Sequence, residues 1–159
     1  MSADTSAIYN AQRDFKRNHK VATKHIQKQM TIGVNIALNE ILDETPRNTG
    51  ALRQSIQDDK IAPLTWIIST PLVYADPVEI GRRPGSMPPT TPIELWARRK
   101  LGLSANEAQG AAYAIARAIA ERGTKPAHMF KTGMANARPK LRRLWGEFRT
   151  SIPKIMETQ

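Results

Sequence analysis

KIAPLTWIIS, residues 60–69, is the one run in this chain with the composition of β-strand, and its reading separates an all-helical fold from a mixed one. Ile61, Trp66, Ile67 and Ile68 are β-branched or aromatic and suit a pleated, half-buried surface. Pro63 has no N–H to give to a ladder, so its neighbourhood is expected to be an interrupted hairpin or a sheet edge. The expectation is an α+β fold: a long N-terminal helix, a small antiparallel sheet centred on residues 60–69, and C-terminal helices.

Upstream of the strand run, residues 4–44 read as one helix. Ile8, Phe15, Ala22, Ile26, Met30, Gly33, Ala37 and Ile41 recur at helical spacing. Arg13, Lys16, Arg17, Lys20, Lys24 and Lys28 follow steps of three and four on the opposite side. The first half has few large apolar residues and is expected to need a partner to cover Ile8 and Phe15. Pro46 stops the helix, because a proline disfavours helical backbone in the residue before it. Thr45-Pro46-Arg47-Asn48-Thr49-Gly50 is a turn by composition. Leu52 and Ile56 follow it on one side.

Downstream, residues 72–80 fit a strand or one helical turn, and Pro77 with Glu79 favours the helix. Gly81 to Thr90 is loop material, half glycine and proline, carrying Arg82, Arg83 and Met87. Thr91-Pro92-Ile93-Glu94 and Ser104-Ala105-Asn106-Glu107 have the pattern of capping boxes, the first with proline at the first helical position. They predict helices over 92–101 and 105–122, closed by Gly102 and Gly123. Ala108, Ala111, Ala112, Ile115, Ala118 and Ile119 would form the inward face of the second. A last helical segment covers 127–150, where Pro139 predicts a kink or two helices meeting near Arg138. Trp66, Ile68, Tyr74, Ile115, Ile119 and Phe130 are expected to share one core.

The length of 159 residues suits a single domain, 1–159, divided into the helix (1–44), turn and sheet (45–81), Gly/Pro loop (82–91) and helical part (92–159). No cysteine is present, which excludes disulfides, thiolate metal sites and cysteine nucleophiles. The first twenty residues have no apolar signal region, and no apolar run is long enough to span a bilayer, so neither cleaved-peptide secretion nor a membrane partner is expected. A net charge of +10 and a pI near 10.3 favour nucleic acid, an anionic surface or an acidic protein as partner.

Catalytic and cofactor signatures do not emerge. His19, His25 and His128 are not at metal-ligand spacing, and the phosphate-loop, dinucleotide and nucleophile-elbow patterns are absent. Glu40, Asp43 and Glu44 oppose the dipole at a helix C-terminus, so they are expected to pair with Arg47, Arg53 or a neighbouring subunit rather than hold a metal. No cofactor is expected. The expected role is structural rather than enzymatic.

Two groups of residues carry a resemblance. The first is Thr45, Pro46, Thr49, Gly50, Leu52, Arg53 and Ser55. The second is Tyr74, Ala75, Val78, Glu79 and Gly81, followed by Arg122, Gly123, Thr124 and Pro126. In this order, across residues 35–135, they resemble the neck and tail-completion proteins of tailed bacteriophages. The resemblance implies a structural virion protein, made in the bacterial host cytoplasm, that forms a homo-oligomeric ring joining the DNA-filled head to the tail. Its partners would be adjacent neck, tail-terminator or tail-tube proteins, and packaged double-stranded DNA contacted without sequence specificity. The basic residues Arg13 to Lys28 would then face DNA or an acidic partner, and Ile8, Phe15, Arg82, Arg83 and Met87 would touch neighbouring subunits. The alternatives are a tail terminator, or a nonspecific DNA-binding protein free in the cytoplasm.

Overall fold

A computed structural model describes the backbone of residues 5–157 and the side chains of residues 9, 10 and 12–153. The fold is α+β, with helices α1 (Thr5–Glu44), α2 (Ala51–Ser55), α3 (Ala75–Ile80), α4 (Thr90–Leu101), α5 (Ala105–Arg122) and α6 (Met129–Glu157). Strands β1 (Gln57–Ala62) and β2 (Thr65–Ser69) form an antiparallel two-stranded sheet between α2 and α3. The chain divides into two compact units. One holds the residues up to Pro71 together with those from Phe130 onward, and the other holds Leu72–Met129.

In the first unit, α1 and α6 run antiparallel: Gly33 lies against Leu141 and Leu144, and Gly133 lies against Ile41. A Cβ on Gly133 would stand 2.5 Å from the Ile41 Cα, so the two backbones approach more closely than any other residue would permit. Ala37, Ile41, Ala137 and Phe148 are buried along this pair. Burial grows along α1: Phe15 is 73 % exposed, Ile26 and Met30 are half-buried, and Gly33, Ala37 and Ile41 are buried. The Trp145 and Phe148 rings meet edge to face at 5.7 Å.

The hairpin pairs Gln57 with Ser69 and Lys60 with Trp66, with an irregularity between Lys60 and Ala62. Pro63 therefore occupies the turn and not a strand, and the polar run Gln57-Asp58-Asp59-Lys60 supplies the partner strand that composition alone does not suggest. Trp66 and Ile68 lie on the half-buried face, and the Lys60 ammonium sits 5.1 Å from the Trp66 ring centre. Ile61 and Ile67 are exposed at 59 % and 47 %.

The second unit is built on alanine. Ala97 of α4 and Ala108, Ala112 and Ala116 of α5 are buried where these two helices pack. Such small side chains allow close axes at little entropic cost. Ser104 and Glu107 form the expected capping box: the Glu107 carboxylate accepts from the Ser104 N–H at 2.9 Å and from its hydroxyl at 2.6 Å. These two bonds hold the Glu107 carboxyl below its ordinary range.

Three expectations are corrected. The Thr91–Glu94 box does not form: α4 starts at Thr90 with Pro89 at its N-cap, and no side chain caps it. Pro92 is therefore the third residue of α4 and not the first, still within the opening turn, where a missing N–H costs nothing. Of the two alternatives at Pro139, the meeting of two helices is overturned: α6 is one helix through both Pro139 and Pro153, and it packs against α1. The six residues expected to form one core do not: Trp66, Ile68 and Phe130 belong to the first unit, Ile115 and Ile119 to the second, and Tyr74 is 48 % exposed.

Candidate functional site

Four features of the chain are candidates for function: two joints built by the residues singled out from the sequence, a basic stripe on α1, and an apolar groove in the first unit.

The first joint closes the C-terminus of α1. The last carbonyls of a helix lack partners within it, and α1 has no basic residue in its final turn. Thr45, buried to 2 % exposure, donates its hydroxyl to the Ile41 carbonyl at 2.7 Å. Arg53 reaches back from α2, donating to the Leu42 carbonyl at 2.7 Å and to Asp43 at 3.3 Å. Its cation also offsets the negative end of the helix dipole. Gly50 adopts φ +83° at the N-cap of α2, a conformation that favours glycine. Leu52 is buried, and the Ser55 hydroxyl bonds the Thr70 hydroxyl at 2.7 Å, tying α2 to the end of the hairpin. Asp43 pairs with Arg47 and Arg53 as expected. The partners of Glu40 and Glu44 are instead on α6: Lys140 binds Glu40, and Asn136 donates to Glu44 at 3.0 Å. A basic partner from outside is not needed to explain these acids.

The second joint zips residues 78–82 to residues 124–128. Ala127 donates to the Val78 carbonyl at 2.8 Å, and His128 to the Glu79 carbonyl at 3.1 Å. Arg82 and Thr124 exchange backbone hydrogen bonds of 3.2 and 2.8 Å. Gly81 (φ +76°) and Gly123 (φ +73°) sit at this crossing, where an added Cβ would lie 2.6 Å from the Thr124 oxygen and 2.0 Å from the Arg82 oxygen respectively. His128 takes φ +54°, the one non-glycine with positive φ among the described residues. That conformation, uncommon outside glycine, turns the chain into α6.

The basic stripe is as the helical spacing predicts. Arg13, Lys16, Arg17, Lys20, Lys24 and Lys28 are all exposed. At 3.6 residues per turn they occupy a sector of about 120° and run about 22 Å along the axis. Asp14 lies 3.8 Å from Arg17, both half open to solvent, where ion pairing is weak. His19 is exposed and His25 half-buried.

The proposed subunit contacts are distributed between the units. Phe15 is exposed in the first, and the Ile8 side chain lies outside the described residues. In the second unit Arg83 and Met87 are exposed, whereas the Arg82 guanidinium folds onto its own loop, donating to the Ser86 carbonyl at 2.5 Å and hydroxyl at 3.1 Å. Arg82 thus braces the Gly/Pro loop in addition to any outward role.

The groove went unnoticed in the sequence. About 350 Å³ of space opens between α1, β2 and α6, lined by Met30, Val34, Trp66, Phe130, Met134 and Trp145 among others. Its lining is apolar and offers no acid, base or nucleophile. No cluster of three or more potential metal ligands occurs among the described residues, and no described helix is long and apolar enough to cross a membrane. The two joints account for most residues of the bacteriophage-like pattern as hydrogen-bonding, buried or glycine-requiring positions; no family model, no curated protein and no solved structure matches this chain.

Proposed function

We propose that this chain is a structural subunit of the neck or tail-completion ring of a tailed bacteriophage, joining the DNA-filled head to the tail. One observation carries the reading. The residues that resemble this family are scattered over eighty positions, yet they converge on two backbone joints. Thr45, Gly50, Leu52, Arg53 and Ser55 make the first, and Val78, Glu79, Gly81, Gly123 and Thr124 meet at the second. This convergence supports the reading, because the pattern marks positions on which the local fold depends. The bonds and close contacts of these residues hold local shape, which fits a role in assembly. Exposed Phe15 and Met87 are available for neighbouring subunits, adjacent neck proteins or the tail tube.

Deletion of the gene from its phage genome tests the proposal. DNA-filled heads and finished tails should accumulate unjoined, and adding the purified chain to the lysate should restore joined particles containing it. Normal particles in the absence of the chain would overturn the reading.

A further inference from the structure

We propose that the exposed stripe of α1 is a binding face for the phosphate backbone of double-stranded DNA, indifferent to base sequence. As a statement about DNA at a head-to-tail joint it rests on the reading above, but its test is a binding measurement separate from gene deletion. Between Thr5 and Asn39, Asp14 is the only acid, against six arginines and lysines on one side of the helix. Those six cations stand exposed, and among the described residues only Arg17 has a carboxylate within 4 Å. Like charges along about 22 Å of rigid helix repel one another, and a partner carrying regularly spaced negative charge relieves that repulsion.

The composition of the stripe distinguishes between acidic partners. From residue 9 to residue 31 the same sector also contains Tyr9, Asn10, Gln27 and Thr31, and no aliphatic side chain. Protein interfaces are centred on desolvated aromatic or aliphatic anchors and are depleted in lysine. Here lysine dominates, and between Arg13 and Lys28 no aromatic or aliphatic anchor interrupts it. Single-stranded nucleic acid is held by stacking on successive aromatic rings, and this sector offers Tyr9 alone. A duplex backbone needs neither, since condensed counterions released by each lysine or arginine supply the driving force. Contacts of this kind position the protein without reading bases.

The test uses the full-length chain and a 30-base-pair duplex, with affinity measured across salt concentration. If all six cations contact phosphate, log affinity against log salt should fall with a slope of about −5, close to a thousandfold loss between 50 and 200 mM salt. The quadruple variant K16Q/R17Q/K20Q/K24Q should flatten the slope by about 3–4, at 0.9 per lost contact. Its helix content by circular dichroism should be unchanged, because all four side chains are exposed. Duplexes of unrelated sequence should bind alike. A comparison variant that removes three cations elsewhere, R98Q/R99Q/K100Q on α4, should keep the original slope. An unchanged slope in the α1 variant, or an equal loss in the α4 variant, would reduce the effect to net charge and overturn the assignment. Tighter binding to polyglutamate than to the duplex would assign the stripe to an acidic protein instead.

Discussion

Gly133→Ala adds one methyl group where α1 and α6 touch, and the structure specifies what that methyl meets. It would stand 2.5 Å from the Ile41 Cα, 2.7 Å from the Ile41 nitrogen and 2.8 Å from its Cγ1. Comfortable carbon contacts lie near ~3.5–4.0 Å, so the helices must part by roughly 1 Å. The obstacle is backbone, which cannot rotate away, so the overpacking cost belongs at the upper end of the usual range, about 3 kcal/mol. Alanine in place of a helical glycine returns about 1 kcal/mol. The net loss is about 2 kcal/mol, or roughly 4–8 °C in Tm for a chain of this size. Two companions calibrate the argument. Gly146 has nothing within 4 Å of an added Cβ, so Gly146→Ala should raise Tm by about 2–3 °C. Gly33 meets only the tips of Leu141 and Leu144, at 3.3 and 3.7 Å, and Gly33→Ala should fall between the two. Thermal unfolding followed by circular dichroism measures all three. If Gly133→Ala is as stable as Gly146→Ala, the close α1–α6 crossing is wrong.

Four further outcomes are expected. Arg53→Ala leaves the Leu42 carbonyl with only the longer 3.3 Å bond from the Thr45 N–H and should cost about 1 kcal/mol in chemical denaturation, with Arg53→Lys recovering only part. Gly123→Ala places a methyl on the Arg82 oxygen and should break the second joint, seen as loss of hydrogen-exchange protection at the Thr124 and Ala127 amides. Ile41→Ala, at a site 1 % exposed, should cost about 2–5 kcal/mol, more than Ile67→Ala at a site 47 % exposed. The lowered Glu107 carboxyl stabilises the folded chain above its unfolded-state range, and that contribution should vanish as pH falls through the folded value; Ser104→Ala should return Glu107 toward the ordinary range in an NMR titration.

The sequence revealed elements better than contacts. The periodicity of α1 and the Ser104–Glu107 box are local signals, set by side chains within a turn or two of each other, and both appear where expected. The β1 strand was hidden because Gln57-Asp58-Asp59-Lys60 is polar; its pairing is imposed by the apolar partner strand and by the Pro63 turn. The first-joint residues stood out as a turn, but nothing in their spacing said that Arg53 would reach back to Leu42. Gly133 looked like an ordinary residue in a helical run, because its reason lies ninety positions away in Ile41. The basic stripe was legible in full, since exposure on an isolated helical face needs no tertiary information.

The first unit is assembled from both ends of the described chain, and that has a consequence for how the protein comes off the ribosome. Leu72–Met129 is contiguous, so every contact internal to it is available once Met129 has emerged. The α1 helix cannot complete its packing then, because its partner surface on α6 has not been made. At a synthesis rate of about 5–20 residues per second, Ile41 waits roughly 5–20 s for Gly133. During that interval the apolar side of α1 is uncovered, while its six cations repel other nascent copies of the same helix. The stripe thus protects the chain in its youth, before any partner is available to use it.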